Sequence, residues 1–141
     1  QDASERFGHL PDILVFIQCT SPFLRSADID GMVTLLQEQR GDCALTACRF
    51  HGFVWRSPLH ASGINHDLKV RVRRQDAMPE FLETGSAYAM QVAGFLAARH
   101  RFFGRPLLYE VPRSRSLEVD TLDDLKLARI MARNLEGRRV S

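Results

Sequence analysis

An α/β domain is what this sequence predicts, and three observations predict it. Residues 12–18, DILVFIQ, are a nearly continuous apolar run of strand length. Residues 27–40 repeat apolar side chains at helical spacing, through Ile29, Met32, Val33, Leu35 and Leu36. Residues 43–50, CALTACRF, are again strand-like. Strands with so little polar alternation are those buried on both faces, as in a parallel sheet covered by helices. A strand, a helix and a strand in that order normally give parallel strands joined by a right-handed crossover.

Each element has its own signal. Pro22 stops the first strand, and Ser26 is a suitable N-cap for the helix that follows. Gly41 and Asp42 end that helix. Residues 51–84 mix short apolar patches with proline, glycine and alternating bases, which predicts a hairpin-like excursion from the sheet. SAYAM, residues 86–90, reads as a short strand returning to it. QVAGFLAARH, residues 91–100, reads as a helix with Gly104 as a breaker beyond it. PLLYEVP, residues 106–112, is a further strand, and RSLEVD, residues 115–120, a short final one. The last helix is expected over residues 122–135. Thr121 with Asp124 three positions on forms a capping box with Asp in place of Glu. The tail, residues 136–141, is expected to fray.

Length and composition narrow the classes. The 141 residues suffice for one domain with its own core, and no repeat or low-complexity segment divides them. A net charge of +2 favours neither nucleic acid nor a membrane surface as partner. No apolar run is long enough to span a bilayer. The first ten residues, QDASERFGHL, lack the basic and apolar regions of a signal peptide. They do not begin with Met, so the chain is expected to be a piece of something longer. Cys19, Cys43 and Cys48 make an odd count, and the odd offset of the last two in one strand turns them to opposite faces. Three reduced thiols in a cytoplasmic protein are expected.

Three segments carry candidate chemistry. Glu118 and Asp120 stand two positions apart, so in an extended chain they share a face about 6.5–7 Å apart. Carboxylates so placed repel each other unless a hard cation such as Mg²⁺ joins them, and Mg²⁺ typically takes one or two carboxylates plus phosphates. Solvated acids at a strand end are the other reading. Gln18, Thr20 and Ser21 lie in a polar turn at the end of the first strand, where ligands of open α/β sheets bind. A loop that satisfies its own backbone accounts for them equally. Lys69, Arg71 and Arg73 alternate along one face of an extended segment, with Arg74 turned the other way. Arginine suits a carboxylate or phosphate, and a charge-protected exposed strand is the alternative. The five histidines are scattered, and none is assigned a catalytic role.

Taken together, IQCTSP, RRQD with ETGSAY close behind, and LEVDTLDDL resemble the N-acylneuraminate cytidylyltransferases, or CMP-sialic acid synthetases. The likeness runs over residues 12–132, and HGFVW is similar too. Relatives that activate Kdo, pseudaminic and legionaminic acids share much of the pattern. The resemblance implies a Rossmann-like three-layer nucleotidyltransferase fold with a mostly parallel sheet. It implies a homodimer, and residues 51–69 are the candidate protruding dimerisation element, since they hold Phe53, Val54 and Trp55. It implies transfer of CMP from CTP to a nine-carbon 2-keto sugar acid, with release of pyrophosphate and with Mg²⁺ as cofactor.

By the same resemblance Asp120 and Glu118 are the metal ligands, with Glu118 standing where the family has Asp. Gln18 contacts the sugar acid, with Thr20 and Ser21 in the same turn. Arg74 holds the sugar carboxylate or phosphate, beside Gln75. Thr84 replaces the family's Asn before Gly85, so a substrate contact there differs. The family's Gly/Ser/Lys-rich phosphate loop has no counterpart here, so these 141 residues are not expected to be active alone. A non-catalytic sugar-acid-binding or regulatory fragment is the alternative.

Overall fold

The computed structural model describes Glu5 and residues 8–137. By internal packing it divides into two compact units, one of residues 1–48 with 83–141 and one of Arg49–Leu82.

The first unit is built on a four-stranded sheet in the order β1-β5-β2-β6. Its strands are β1 (Ile13–Ile17), β2 (Cys43–Phe50), β5 (Glu80–Gln91) and β6 (Pro106–Glu110). Its helices are α1 (Ser26–Glu38), α2 (Val92–Ala98) and α3 (Leu122–Gly137). Strand β1 runs antiparallel to β5, with Phe16 opposite Tyr88, and β2 runs parallel to β6, with Leu45 opposite Leu108. Gln91 N–H donates to Asp42 O, while Thr46 meets Ala87 four residues along each strand. These two contacts make the β5–β2 pair antiparallel.

The sheet is therefore mixed, and the mostly parallel sheet expected from the sequence is corrected. Strands β1 and β2 are parallel to each other across α1, but β5 has inserted between them. A short apolar stretch such as SAYAM reads alike in either direction, so its antiparallel course was not visible. It is also no short strand, because β5 has twelve residues.

Alternation along the strands builds a different core on each face. Ala44, Ala87 and Ala89 pack with Met32 and Leu36 of α1, flanked by Ile13, Val15 and Leu107. Cys43, Leu45, Tyr88 and Met90 face the other way, against Phe95, Phe102 and Phe103. Small residues on one face let the helix approach closely, and large ones fill the other. Gly31 of α1 serves the same approach, since a side chain there would meet the Tyr109 ring of β6, with Cζ only 2.6 Å away.

Other boundaries also move. The N-cap of α1 is Arg25, one residue before Ser26, and its backbone N–H donates to Asp28 Oδ2 at 3.0 Å. Helix α2 stops at Ala98 because Arg99 turns left-handed, at φ 49°, so Gly104 is not what breaks it. The final strand is absent: residues 113–115 form a 3₁₀ turn and 116–120 run on without a ladder. The capping box at α3 is present, with Thr121 N–H donating to Asp124 Oδ2 at 2.9 Å and Asp124 N–H to Thr121 Oγ1 at 3.2 Å. The tail beyond residue 137 lies outside the described residues. All three cysteines are free thiols. No helix among the described residues is long and apolar enough to cross a membrane.

The second unit contains a two-stranded antiparallel ladder, β3 (Trp55–Arg56) with β4 (Ser62–Gly63). Asn65 is its tie. Its side-chain amide donates to Gly52 O and Glu80 Oε2, and its Oδ1 accepts the Val54 N–H. His66 sits between the rings of Phe53 and Trp55, at 4.9 and 4.8 Å. Lys69, Arg71 and Arg73 lie on no strand. Arg71 instead covers the Phe53 ring at 3.9 Å, and Arg73 pairs with Asp76 at 2.8 Å.

One ion pair in the first unit lies almost out of solvent. Arg115 grips the Asp28 carboxylate with both terminal nitrogens, one bond being Nη2 to Oδ1 at 2.8 Å, and the side chains are 12% and 7% exposed. The Arg115 hydrogen bond holds the Asp28 carboxyl below its ordinary 3.8, against the opposing effect of burial. A carboxyl whose folded pKa is depressed stabilises the fold above the unfolded pKa and stops doing so as pH falls through the folded value. Asp28→Ala should therefore cost about 3 kcal/mol or more at pH 7, because it strands a buried guanidinium. In urea unfolding, that deficit should shrink as the pH drops below about 4. An equal deficit at pH 7 and pH 2.5 would show that the pair's charge is not what matters.

Candidate functional site

The acidic segment that follows Arg115 lies against the polar turn after β1. Val119 N–H donates to Thr20 O at 2.8 Å, and Gln18 N–H donates to Ser86 O at 3.0 Å. Three segments far apart in sequence thus meet at one end of the sheet: the turn of Gln18, Thr20 and Ser21, the Thr84–Gly85–Ser86 stretch of β5, and Glu118–Asp120.

Each side chain has a definite place. Thr20 Oγ1 donates to Gln18 Oε1 at 3.4 Å, and the Gln18 amide nitrogen has no partner among the described residues. Ser21 is buried, and its hydroxyl oxygen has no hydrogen-bond partner. Thr84 is buried with its hydroxyl turned into the sheet, 2.8 Å from Thr46 Oγ1 and 3.1 Å from Thr46 O. Thr46 Oγ1 in turn accepts the Ala87 N–H at 3.1 Å. This hydroxyl cluster pegs β5 to β2 beside Gly85. Gly85 is left-handed, at φ 66°, a conformation that costs other residues about 1–2 kcal/mol.

The Glu118 carboxylate occupies the space over Gly85. A Cβ on Gly85 would lie 2.8 Å from Glu118 Cδ and 3.0 Å from its Oε2. Burial, then the neighbouring charges of Asp120 and Glu83, push the Glu118 carboxyl above its usual value. Asp120 is exposed, just ahead of the capping box that opens α3, and its own N–H reaches Asp124 Oδ2 at 3.3 Å. Neither Glu118 nor Asp120 has a cation partner among the described residues. Two acids two residues apart, one of them partly desolvated and neither paired with a cation, are a donor set that a hard divalent cation accepts. Among the described residues no third acid, histidine or thiol converges with them as a metal-binding group.

Arg74 and Gln75 fall in the second unit, in the 3₁₀ turn Arg74–Asp76, and both are exposed. That unit also holds a cavity of about 460 Å³ whose lining includes Phe53, Asn65, His66, Val72, Met78 and Glu80. It carries no local sequence signal, because its walls come from residues brought together by the Asn65 hydrogen bonds and the packing of His66 on Phe53.

One feature of the first unit was also missed. Tyr88 is buried and donates a short hydrogen bond to Glu83, while the Arg101 guanidinium covers its ring at 4.4 Å. A strand places residues five apart on opposite faces, so spacing alone argued against this pair. The turned backbone at Gly85 lies between them.

The chain matches no family model. Among curated proteins it is similar to N-acylneuraminate cytidylyltransferase B of Danio rerio, at 28% identity over 122 residues. That match covers 83% of this chain but only 29% of the relative, so the chain spans under a third of the relative's length.

Burial, then the hydrogen bond to Glu83, push the Tyr88 phenol up to about 12. An acid with a raised folded pKa stabilises the fold below the unfolded pKa and loses that contribution as pH climbs through the folded one. An ultraviolet titration of Tyr88 should therefore place its ionisation near 12. Glu83→Gln should lower it while leaving it above the ordinary 10, since burial remains. Ionisation at the same pH in both proteins would mean that the Glu83 bond does not hold the proton.

Proposed function

We propose that this chain is part of a cytidylyltransferase that joins CMP to a 2-keto sugar acid of the sialic acid type. The reading is carried by the meeting of Gln18, Thr20, Gly85, Glu118 and Asp120 at one end of the sheet. The sequence resemblance had selected these residues from three separate segments. The similarity to a protein named N-acylneuraminate cytidylyltransferase B supports it.

In the reaction, the anomeric hydroxyl oxygen of the sugar acid bonds to the α-phosphorus of CTP. The bond to pyrophosphate breaks, and the hydroxyl proton is released. Asp120 and Glu118 would hold Mg²⁺, which when bound supplies neutralising charge for the triphosphate. The chain's own groups do the positioning. The free Gln18 amide can donate to a sugar hydroxyl or carbonyl. The Arg74 guanidinium is assigned to the sugar carboxylate, for which its planar fork is suited. At Thr84 the side chain is committed to Thr46, so recognition at this position falls to the backbone around Gly85.

The second unit is assigned the contact between two copies. It exposes Phe53, Trp55, Leu59, Leu68, Val70 and Met78 within thirty-four residues, far more apolar surface than so small a unit needs. Aromatic residues of this kind form the core of interfaces.

Two experiments test these assignments. In a full-length protein carrying this chain, Asp120→Ala should lower turnover by about 100-fold or more while leaving the unfolding transition in place. Near-normal turnover at saturating Mg²⁺ would remove the assignment. Trp55→Arg should shift a dimer to monomer in sedimentation velocity, and an unchanged or already monomeric wild type would remove the interface.

A further inference from the structure

The side chain at position 118 is longer than the resemblance implies, and the structure shows where the extra length goes. The backbone on either side is fixed, by Arg115 on Asp28 and by Val119 N–H on Thr20 O. From that fixed start the Glu118 side chain folds back until its carboxylate lies on the bare backbone of Gly85. The neighbours leave this space open. Thr84 turns its side chain inward to Thr46, and Ser86 is buried with its hydroxyl on Thr84 O. Any side chain on Gly85 would claim the volume that the carboxylate fills.

We propose that Gly85 is a positioning residue for the cation site, its missing side chain being what seats the Glu118 carboxylate over the strand, so that Glu serves where Asp is expected. This rests on the reading of Glu118 and Asp120 as cation ligands. The two positions are then coupled. A side chain at 85 would push the Glu118 carboxylate from its place, whereas an aspartate, one methylene shorter, would be displaced less.

The coupling is measurable without catalysis. Mn²⁺ serves as the probe, its free concentration followed by electron paramagnetic resonance in the presence of a full-length protein carrying this chain. Gly85→Ala should weaken binding by about 10-fold or more, the usual effect of disturbing a group that orients a ligand. In a Glu118→Asp background, Gly85→Ala should change binding by no more than about 2-fold, the scatter of independent substitutions. Left-handed strain at position 85 is the same in both backgrounds, so a purely backbone effect would cost the same in both. Gly85→Asn, which tolerates this conformation better, replaces Gly85→Ala if the latter fails to fold.

The outcomes separate. No Mn²⁺ binding by the wild type, or binding that Glu118→Ala leaves unchanged, overturns the cation reading and the proposal with it. Binding that depends on Glu118 but is the same with Gly, Ala or Asn at 85 overturns the proposal alone. So does a loss of equal size whichever acid stands at 118.

Discussion

The bond between Asp28 and Arg115 decides where the acidic segment can lie. Asp28 is in the first turn of α1, where its carboxylate also accepts the Arg25 N–H. Arg115 reaches it from the 3₁₀ turn after β6. A buried carboxylate cannot remain charged without such a partner, and a buried guanidinium cannot remain at all. Each therefore holds the other, and eighty-seven residues of chain are closed by the contact. From Arg115 it is three residues to Glu118 and five to Asp120, too few to wander. One further hydrogen bond, Val119 to Thr20, completes the placement.

The sheet supplies the other side of the site. Because β5 is inserted antiparallel, its early residues, not its late ones, lie beside the end of β1. Thr84, Gly85 and Ser86 thereby come to the end where the Gln18 turn emerges. The packing that permits this is asymmetric: alanines of β2 and β5 beneath α1, large side chains on the reverse face. Reversing β5 would carry Gly85 away from the end of the sheet where the Gln18 turn emerges.

Much of this was legible beforehand, for identifiable reasons. Continuous apolar runs located β1 and β2, and the Thr121–Asp124 box located the start of α3, because these signals are local; burial on both faces holds for β2 but not for β1, an edge strand that leaves Leu14, Phe16 and Ile17 exposed. The direction of β5 was not legible, since direction depends on partners and not on composition. RSLEVD alternates like a strand, yet among the described residues it joins no ladder, and pattern alone cannot supply backbone pairing. The Asp28–Arg115 pair could not be read either: each is one of many charges in the sequence, and only the fold buries both. The candidate residues were chosen through short motifs in register. For the residues of the first unit, their meeting in space is a separate observation; Arg74 and Gln75 belong to the second unit.

Charge limits what this site can hold. Around the Gln18 turn, Glu83, Glu118 and Asp120 contribute negative charge, and the nearby guanidiniums are committed: Arg115 to Asp28, Arg101 to the faces of Tyr88 and Phe102. A phosphate or sugar carboxylate brought here alone would meet repulsion, strengthened because Glu118 is partly desolvated. A divalent cation offsets two of these charges and offers its remaining coordination positions to an anionic oxygen. Recognition of an anion at this place therefore depends on a cation arriving with it or before it. On the proposed reading, the neutral groups at this end of the sheet, the Gln18 amide and the backbone at Gly85, distinguish shape where charge cannot.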